Sequence, residues 1–275
     1  AALLFYRGIE IATAKPTTEE KSGVPHHLID YVDPNVNYTA AEWANDASKK
    51  IVEIESRGNV PILVGGTGFY LRTLRQPLFE SPKTDPAIRE RLRIIRETHG
   101  PERLHDMLAD ADPVAAERLF PRDYVRVMRS LEVFLQTGKK ISEIQPNRAK
   151  APEFASRIRI FVLNPPRDDL YRKINERALK HFDAGLVEEV ICLRNKGVPD
   201  DTNALGAHGY RRVCEYLRGQ RDLAGAIEKT QQDVRNYAKR QLTWFRKEPG
   251  TVWLDGFGDD PRLAETIVKL THDVS

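Results

Sequence analysis

The chain has 275 residues, 40% of them hydrophobic and 30% charged, enough to bury a real core in one large or two smaller domains. No apolar run approaches the ~20 residues that a membrane span needs, and no charged-then-apolar leader opens the chain, so a soluble, cytoplasmic protein is expected. A net charge of +3 and a pI of about 8.8 name no partner by themselves, but basic residues gather at Arg122–Arg129, Arg211–Arg221 and Arg235–Lys247, as on a surface that faces a polyanion.

Along the chain, the apolar run from Ala1 to Tyr6 reads as the tail of a strand. Thr39-Ala-Ala-Glu42 is a capping box, followed at helical spacing by Ala40, Trp43, Ala44, Ala47, Ile51 and Ile54 and closed by Gly58. Val60-Pro-Ile-Leu-Val64 has the look of a buried strand and delivers Gly65-Gly-Thr-Gly68 into a second helix, which is an α/β arrangement. From Arg72 to about Arg122 the sequence is charged and helical, with Asp85-Pro86 and Asp112-Pro113 as helix starts. A helix from Asp123 to Gln136 should stop at Gly138, before a linker from Pro146 to Phe154 and an alternating strand from Arg157 to Leu163. Helices are expected over Asp168–Ala184, Val187–Lys196, Tyr210–Leu217 and Asp222–Lys247, then a strand at Thr251–Asp255 and a last helix from Pro261. The two cysteines, Cys192 and Cys214, fall in helical sequence without CxxC or paired-His context and read as structural thiols.

Several side chains invite a chemical reading beside a structural one. Arg177 follows Leu170 and Ile174 and precedes Ala178, on the inward stripe of its helix; it serves either an anionic ligand or an ion pair with a carboxylate such as Asp183. Thr67 sits in a glycine turn beyond an expected strand end, where ligands of open α/β sheets collect; a plain tight turn has the same sequence. Arg126 and Arg129 share a helix face, as a phosphate-tracking pair does. Arg235, Lys239 and Arg246 recur at near-helical spacing with Tyr237, Trp244 and Phe245 interleaved, either a nucleic-acid face or a solvated basic face over aromatic core. His26 and His27 are adjacent and cannot share one face, so no chemistry is assigned to them.

Five blocks carry a resemblance: Tyr6-Arg-Gly-Ile-Glu-Ile-Ala-Thr-Ala-Lys-Pro16, Val24-Pro-His-His-Leu-Ile-Asp30, Val64-Gly-Gly-Thr-Gly-Phe-Tyr70, Arg129-Ser-Leu-Glu-Val133 and Lys239-Arg-Gln-Leu-Thr-Trp-Phe-Arg246. In family order and over nearly the whole chain, they resemble the tRNA dimethylallyltransferases, also called tRNA isopentenyltransferases. The resemblance implies a P-loop-kinase-like parallel-sheet core, expected at 1–75 and 123–275, with an all-helical insertion at 76–122. It also implies transfer of a dimethylallyl group from dimethylallyl diphosphate to N6 of the adenosine next to the anticodon, with Mg²⁺ as cofactor and the tRNA anticodon stem-loop as partner, by a monomer. Reaching that adenosine requires the base to leave its stack, at a cost of a few kcal/mol.

Carried over by position, the resemblance puts Arg177 on the diphosphate side and Thr67 at the reacting site. It makes Arg89, Arg126, Arg129, Gly209, Tyr210, Arg211, Lys239, Arg240, Gln241, Trp244 and Arg246 the tRNA contacts, with His208 unusual inside the Gly206–Arg211 loop. Two departures stand out. The family's opening strand and Gly-Lys-Ser/Thr loop have no counterpart here, and its catalytic Asp and adenine-reading Gln fall on Ala1 and Leu4. Two readings remain open on these residues: a transferase whose sequence lacks its N-terminal segment, or a catalytically inactive tRNA-binding relative. A small-molecule kinase is disfavoured, because phosphoryl transfer depends on the loop that is missing.

Overall fold

The computed structural model describes residues 3–13 and 15–272. Contacts divide the chain into two compact units, Ala1–Arg75 with Glu153–Ser275, and Gln76–Pro152. The first unit opens with a turn in which Tyr6 forms a single parallel bridge to Val32, closed by Arg7 N–H donating to Val32 O at 2.8 Å and Val32 N–H to Phe5 O at 2.8 Å. Helix α1 (Thr18–Lys21) and helix α2 (Ala40–Ser56) each start from a complete capping box, Thr17 with Glu20 and Thr39 with Glu42. Helix α2 buries Ala40, Ala44, Ala47 and Ile51, the spacing that the sequence predicts.

The strand expected at Val60–Val64 does not form. A strand exists only as half of a pair, and no neighbour lines up with this run among the described residues. Its side chains stay in solvent, with Val60 81%, Ile62 83% and Val64 89% exposed. The run instead leads as extended chain into helix α3 (Gly68–Arg75).

The second unit holds helices α4 (Pro86–Ala111), α5 (Pro113–Arg118), α6 (Tyr124–Thr137) and α7 (Ile141–Ile144). Asp85 caps α4 by accepting from Ala87 N at 2.8 Å, and Gly100, at φ 83°, breaks that helix ahead of Pro101. The unit runs further along the chain than the insertion expected at 76–122. The reason is packing: α6 lays Val127, Met128 and Leu131 against Leu92, Leu104 and Leu108 of α4, so residues 123–152 share the core of this unit. Asp112 caps α5 and, buried, also accepts from Ser142 N at 2.9 Å and Ser142 Oγ at 2.7 Å, tying α7 to α5.

The first unit resumes with strand β1 (Ile160–Leu163), shorter than expected because 153–157 coils into a 3-10 turn. Helices α8 (Arg167–Asp183), α9 (Leu186–Asn195), α10 (Tyr210–Leu217) and α11 (Leu223–Phe245) form the crossover to strand β2 (Thr251–Leu254), and α12 (Pro261–His272) follows. The two strands pair in parallel, Ile160 opposite Thr251 through Leu163 opposite Leu254, so the α/β core is mostly helical around a small parallel sheet. Phe5, Tyr6, Ile9, Leu186, Val190, Leu205, Tyr210, Val213 and Cys214 make its largest apolar cluster. Burial pushes the Cys214 thiol up to about 11, whereas Cys192 is exposed. Among the described residues no helix is long and apolar enough to cross a membrane.

Asp112 yields a pH signature. Burial opposes its ionisation, but bonds from the Ser142 side chain, the Ser142 amide and the Ala115 amide, with nearby Lys140, hold its carboxyl below the usual value. A depressed folded pKa contributes stability above the unfolded value of about 3.9 and loses it as pH falls through the folded pKa. Asp112→Asn should lower the urea midpoint at pH 7, and the gap from the parent should narrow as pH drops below about 4. A gap that stays constant from pH 7 to pH 3 refutes the assignment.

Candidate functional site

The Gly65–Gly68 turn lies directly on α11. Thr67 Oγ1 and Tyr237 Oη are hydrogen-bonded at 3.0 Å, and the Thr67 carbonyl accepts the first helical bond of α3 from Tyr70 N at 3.0 Å. The glycines on either side are demanded by space. An added Cβ at Gly66 would stand 2.0 Å from the Gln241 amide nitrogen, and at Gly68 2.1 Å from the Trp244 ring. The contact extends along α3: the Arg72 guanidinium lies 4.6 Å from the Trp244 ring centroid, and Arg72 Nη2 and Arg75 Nη1 donate to Glu248 at 2.9 and 3.0 Å. Glu248, 7% exposed, is neutralised from two sides. Tyr237, Gln241 and Trp244 follow one another at i, i+4 and i+7, a single stripe of α11, and Glu248 lies just beyond the helix end.

Opposite that stripe the helix is basic. Lys239 lies roughly 160° around the axis from Tyr237, with Arg240 in between, and Arg246 and Lys247 follow at the C-terminal end of the helix. All four are exposed, and none has a carboxylate within 4 Å among the described residues. Arg235, by contrast, is tied to the Asn175 side chain on α8 and leaves this face.

The Gly206–Arg211 loop reaches the same helix. Gly209, at φ 89°, starts α10, and a Cβ there would press on Leu186 at 3.3 Å and Ala12 at 3.5 Å. Tyr210 was expected to touch tRNA, but its side chain is fully buried. Its hydroxyl donates to Glu189, which also accepts from Glu10 N and Ile11 N at 3.1 Å each, and the hydroxyl oxygen accepts from Ala12 N at 3.2 Å. Burial and the Glu189 carboxylate push the phenol well above its ordinary pKa, so Tyr210 holds the Glu10–Thr13 segment in place rather than offering a surface to RNA. Arg211 is exposed, with a loose pairing to Glu215 at 3.5 Å. His208 packs its ring 5.1 Å from that of Tyr237, and burial, against Asp233 but with Arg240 and Arg212, lowers its pKa.

Arg177 departs from expectation. It is exposed on α8 beside the buried pair Ile174 and Ala178, and pairs neither with Asp183 nor with another carboxylate within 4 Å among the described residues. A stripe read from neighbours one residue away misplaces a side chain by about 100°. In the second unit, Arg126 is exposed beside Asp123 at 3.4 Å. Arg89 and Arg129 are committed instead to Glu132, which is 0% exposed: Arg89 binds it through two nitrogens at 2.6 and 3.1 Å, and Arg129 at 3.2 Å while also holding Ser81 and Pro82. A buried carboxylate needs such partners, so both arginines have structural work before any ligand arrives.

Residues 4–248 match the family model described as IPP transferase. The chain belongs to the IPP transferase family. Among relatives, a protein from Geobacter sulfurreducens named tRNA dimethylallyltransferase is 50% identical over 254 residues, covering 92% of this chain and 81% of its own. One of the same name from Thermomicrobium roseum is 44% identical over 91% of this chain and 75% of its own. Among solved structures, the full-length tRNA isopentenylpyrophosphate transferase of Bacillus halodurans is 35% identical with a TM-score of 0.68, over 99% of this chain and 84% of that one. A eukaryotic dimethylallyltransferase described as acting on tRNA gives a TM-score of 0.74 at 26% identity, over 97% of this chain and 70% of that one.

Against the pattern of this IPP transferase family, Leu4 sits half-buried in the opening turn, and Ala1 lies outside the described residues. Among the described residues no group of three or more His, Cys, Asp or Glu side chains is placed to hold a metal ion, so the donor set for a protein-only Mg²⁺ cage is not met there. The sequence reading passed over Glu248, Arg72, Arg75, Glu189 and Lys15, whose buried ammonium donates to Tyr6 O at 2.7 Å and pairs with Asp30. Glu248 lies past the end of α11, outside its helical period, so only the fold shows that it meets Arg72 and Arg75.

The loop–helix contact predicts an asymmetry between its two glycines. Gly68→Ala must displace the Trp244 indole, which is held by Arg72 and Phe245, and should cost about 1–3 kcal/mol. Gly66→Ala meets only the flexible end of Gln241 and should cost less. Urea midpoints of the two variants decide it; equal losses refute the close approach.

Proposed function

We propose that this chain is a tRNA dimethylallyltransferase, which moves a dimethylallyl group from dimethylallyl diphosphate to N6 of the adenosine beside the anticodon, as a cytoplasmic monomer. The observation that carries the reading is the 50% identity to a relative of that name over 92% of the chain. In the reaction the adenine N6 lone pair forms a bond to C1 of the prenyl group as the C1–O bond to diphosphate breaks. The diphosphate leaves with the bonding pair, and N6 gives up one proton to solvent or to the departing diphosphate. Such a step calls for positive charge at the leaving group and for dry walls around a carbocation-like centre.

Arg177 is the diphosphate-side cation in this reading. Its exposure and its lack of a carboxylate partner among the described residues leave its charge available to an anion. Thr67, hydrogen-bonded to Tyr237, is the residue that meets the reacting base in this reading. Lys239, Arg240 and Arg246 track phosphates, with Arg211 and Arg126 as further contacts, whereas Gln241, Trp244 and Gly209 act by shaping the surface. Mg²⁺ accompanies the diphosphate in this reading. The catalytically inactive alternative draws no support from the relatives reported.

Two outcomes are expected. Binding of an anticodon stem-loop should fall steeply with salt; if about five phosphates are neutralised, log K against log salt has a slope of roughly −3.5 to −4.5. The double variant Lys239→Ala, Arg246→Ala should flatten that slope by about 1–2 and weaken all sequences alike, since phosphate contacts do not specify. Binding indifferent to salt counts against the reading. Separately, Arg177→Ala should lower transfer of labelled dimethylallyl to tRNA by about 10²-fold or more with an unchanged Tm. A collapsed Tm with retained transfer assigns Arg177 a structural role.

A further inference from the structure

His208 is the residue of the Gly206–Arg211 loop that neither the core nor the proposed chemistry absorbs. Its ring centroid is 5.1 Å from that of Tyr237, with planes 54° apart, so the two rings touch as a tilted wedge rather than a face-to-face stack. The imidazole nitrogens have no hydrogen-bond partner among the described residues. The Arg240 guanidinium stands 5.7 Å from the Tyr237 ring centroid, and the Tyr237 hydroxyl holds Thr67. The wedge therefore lies where the Thr67 turn meets the edge of the basic face of α11. A strand whose phosphate is held at Arg240 has this ring pair beside its bases.

We propose that His208 and Tyr237 form a stacking site for one unpaired nucleobase of the tRNA, next to the base that is modified. The site rests on the tRNA reading above and adds to it a residue peculiar to this loop. Two half-exposed aromatic faces flanked by a guanidinium are the recurrent platform for single-stranded bases, because every base has a π-face. Packing alone leaves unexplained why a polar ring with no hydrogen-bond partner among the described residues occupies the position.

The test is a binding cycle with an anticodon stem-loop and a set of versions carrying one abasic nucleotide each, titrated against the unaltered chain and against His208→Ala, His208→Phe and Tyr237→Ala. His208→Ala should weaken the intact stem-loop about tenfold, and His208→Phe should restore most of that loss. The effect of His208→Ala should vanish at one abasic position, the same position at which Tyr237→Ala loses its effect. A loss spread equally over all abasic positions, or no loss with the Tm unchanged, overturns the proposal and leaves the tRNA reading standing. No stem-loop binding by the unaltered chain sinks both.

Discussion

At Gly68 the backbone of the turn runs so near the Trp244 indole that an added Cβ would lie 2.1 Å from it, and much of the first unit follows from this approach. Close passage of the turn lets Thr67 reach Tyr237. It also seats α3 so that Arg72 covers Trp244 and, with Arg75, reaches Glu248. One side of α11 is thereby used up in holding the turn. The opposite side is left free to carry Lys239 and Arg246. A helix with two such faces couples the place where a base would be handled to the place where phosphates would be gripped, through about 10 Å of rigid cylinder.

Charge is divided between structure and solvent in a way that counting arginines hides. Arg89 and Arg129 neutralise one buried carboxylate, Glu132, and Arg212 and Arg221 converge on Glu215, itself nearly buried. Removing one of these leaves a buried carboxylate with half of its partners, a larger perturbation than loss of an exposed ion pair. Lys239, Arg240, Arg246 and Arg177 have no such duty. Exposed and unpaired cations are costly to keep together through mutual repulsion, and they are where a polyanionic partner gains most.

Helices were legible because their ends are written locally. Thr39 with Glu42, Asp85 and Asp112 mark starts, and Gly138, at φ 68°, marks a stop, each by hydrogen bonds within four residues. The strand at Val60–Val64 was misread because five apolar residues describe a propensity, whereas a ladder requires a partner elsewhere in the chain. The site was legible in part. The Gly65–Gly68 turn and the Lys239–Arg246 segment announce themselves as motifs. What hydrogen-bonds a buried phenol is not written near it: the role of Tyr210 depends on Glu189 and Ala12, and that of Arg129 on Ser81 and Pro82. Arg177 shows the remaining difficulty, since one step along a helix separates an inward from an outward side chain.

The exposed run from Val60 to Val64 bears on how the protein behaves in concentrated solution. Branched apolar side chains and unpaired backbone groups in extended chain are the ingredients of intermolecular β-pairing, and the segment carries no charge to discourage it. Pro61 is its one gatekeeper, removing a donor near the start of the run. Colloidal stability then rests on charge elsewhere, and a net charge of only +3 gives weak repulsion between molecules. The same surface cations that suit a polyanion thus also keep copies of this chain apart, and salt that screens the first role weakens the second.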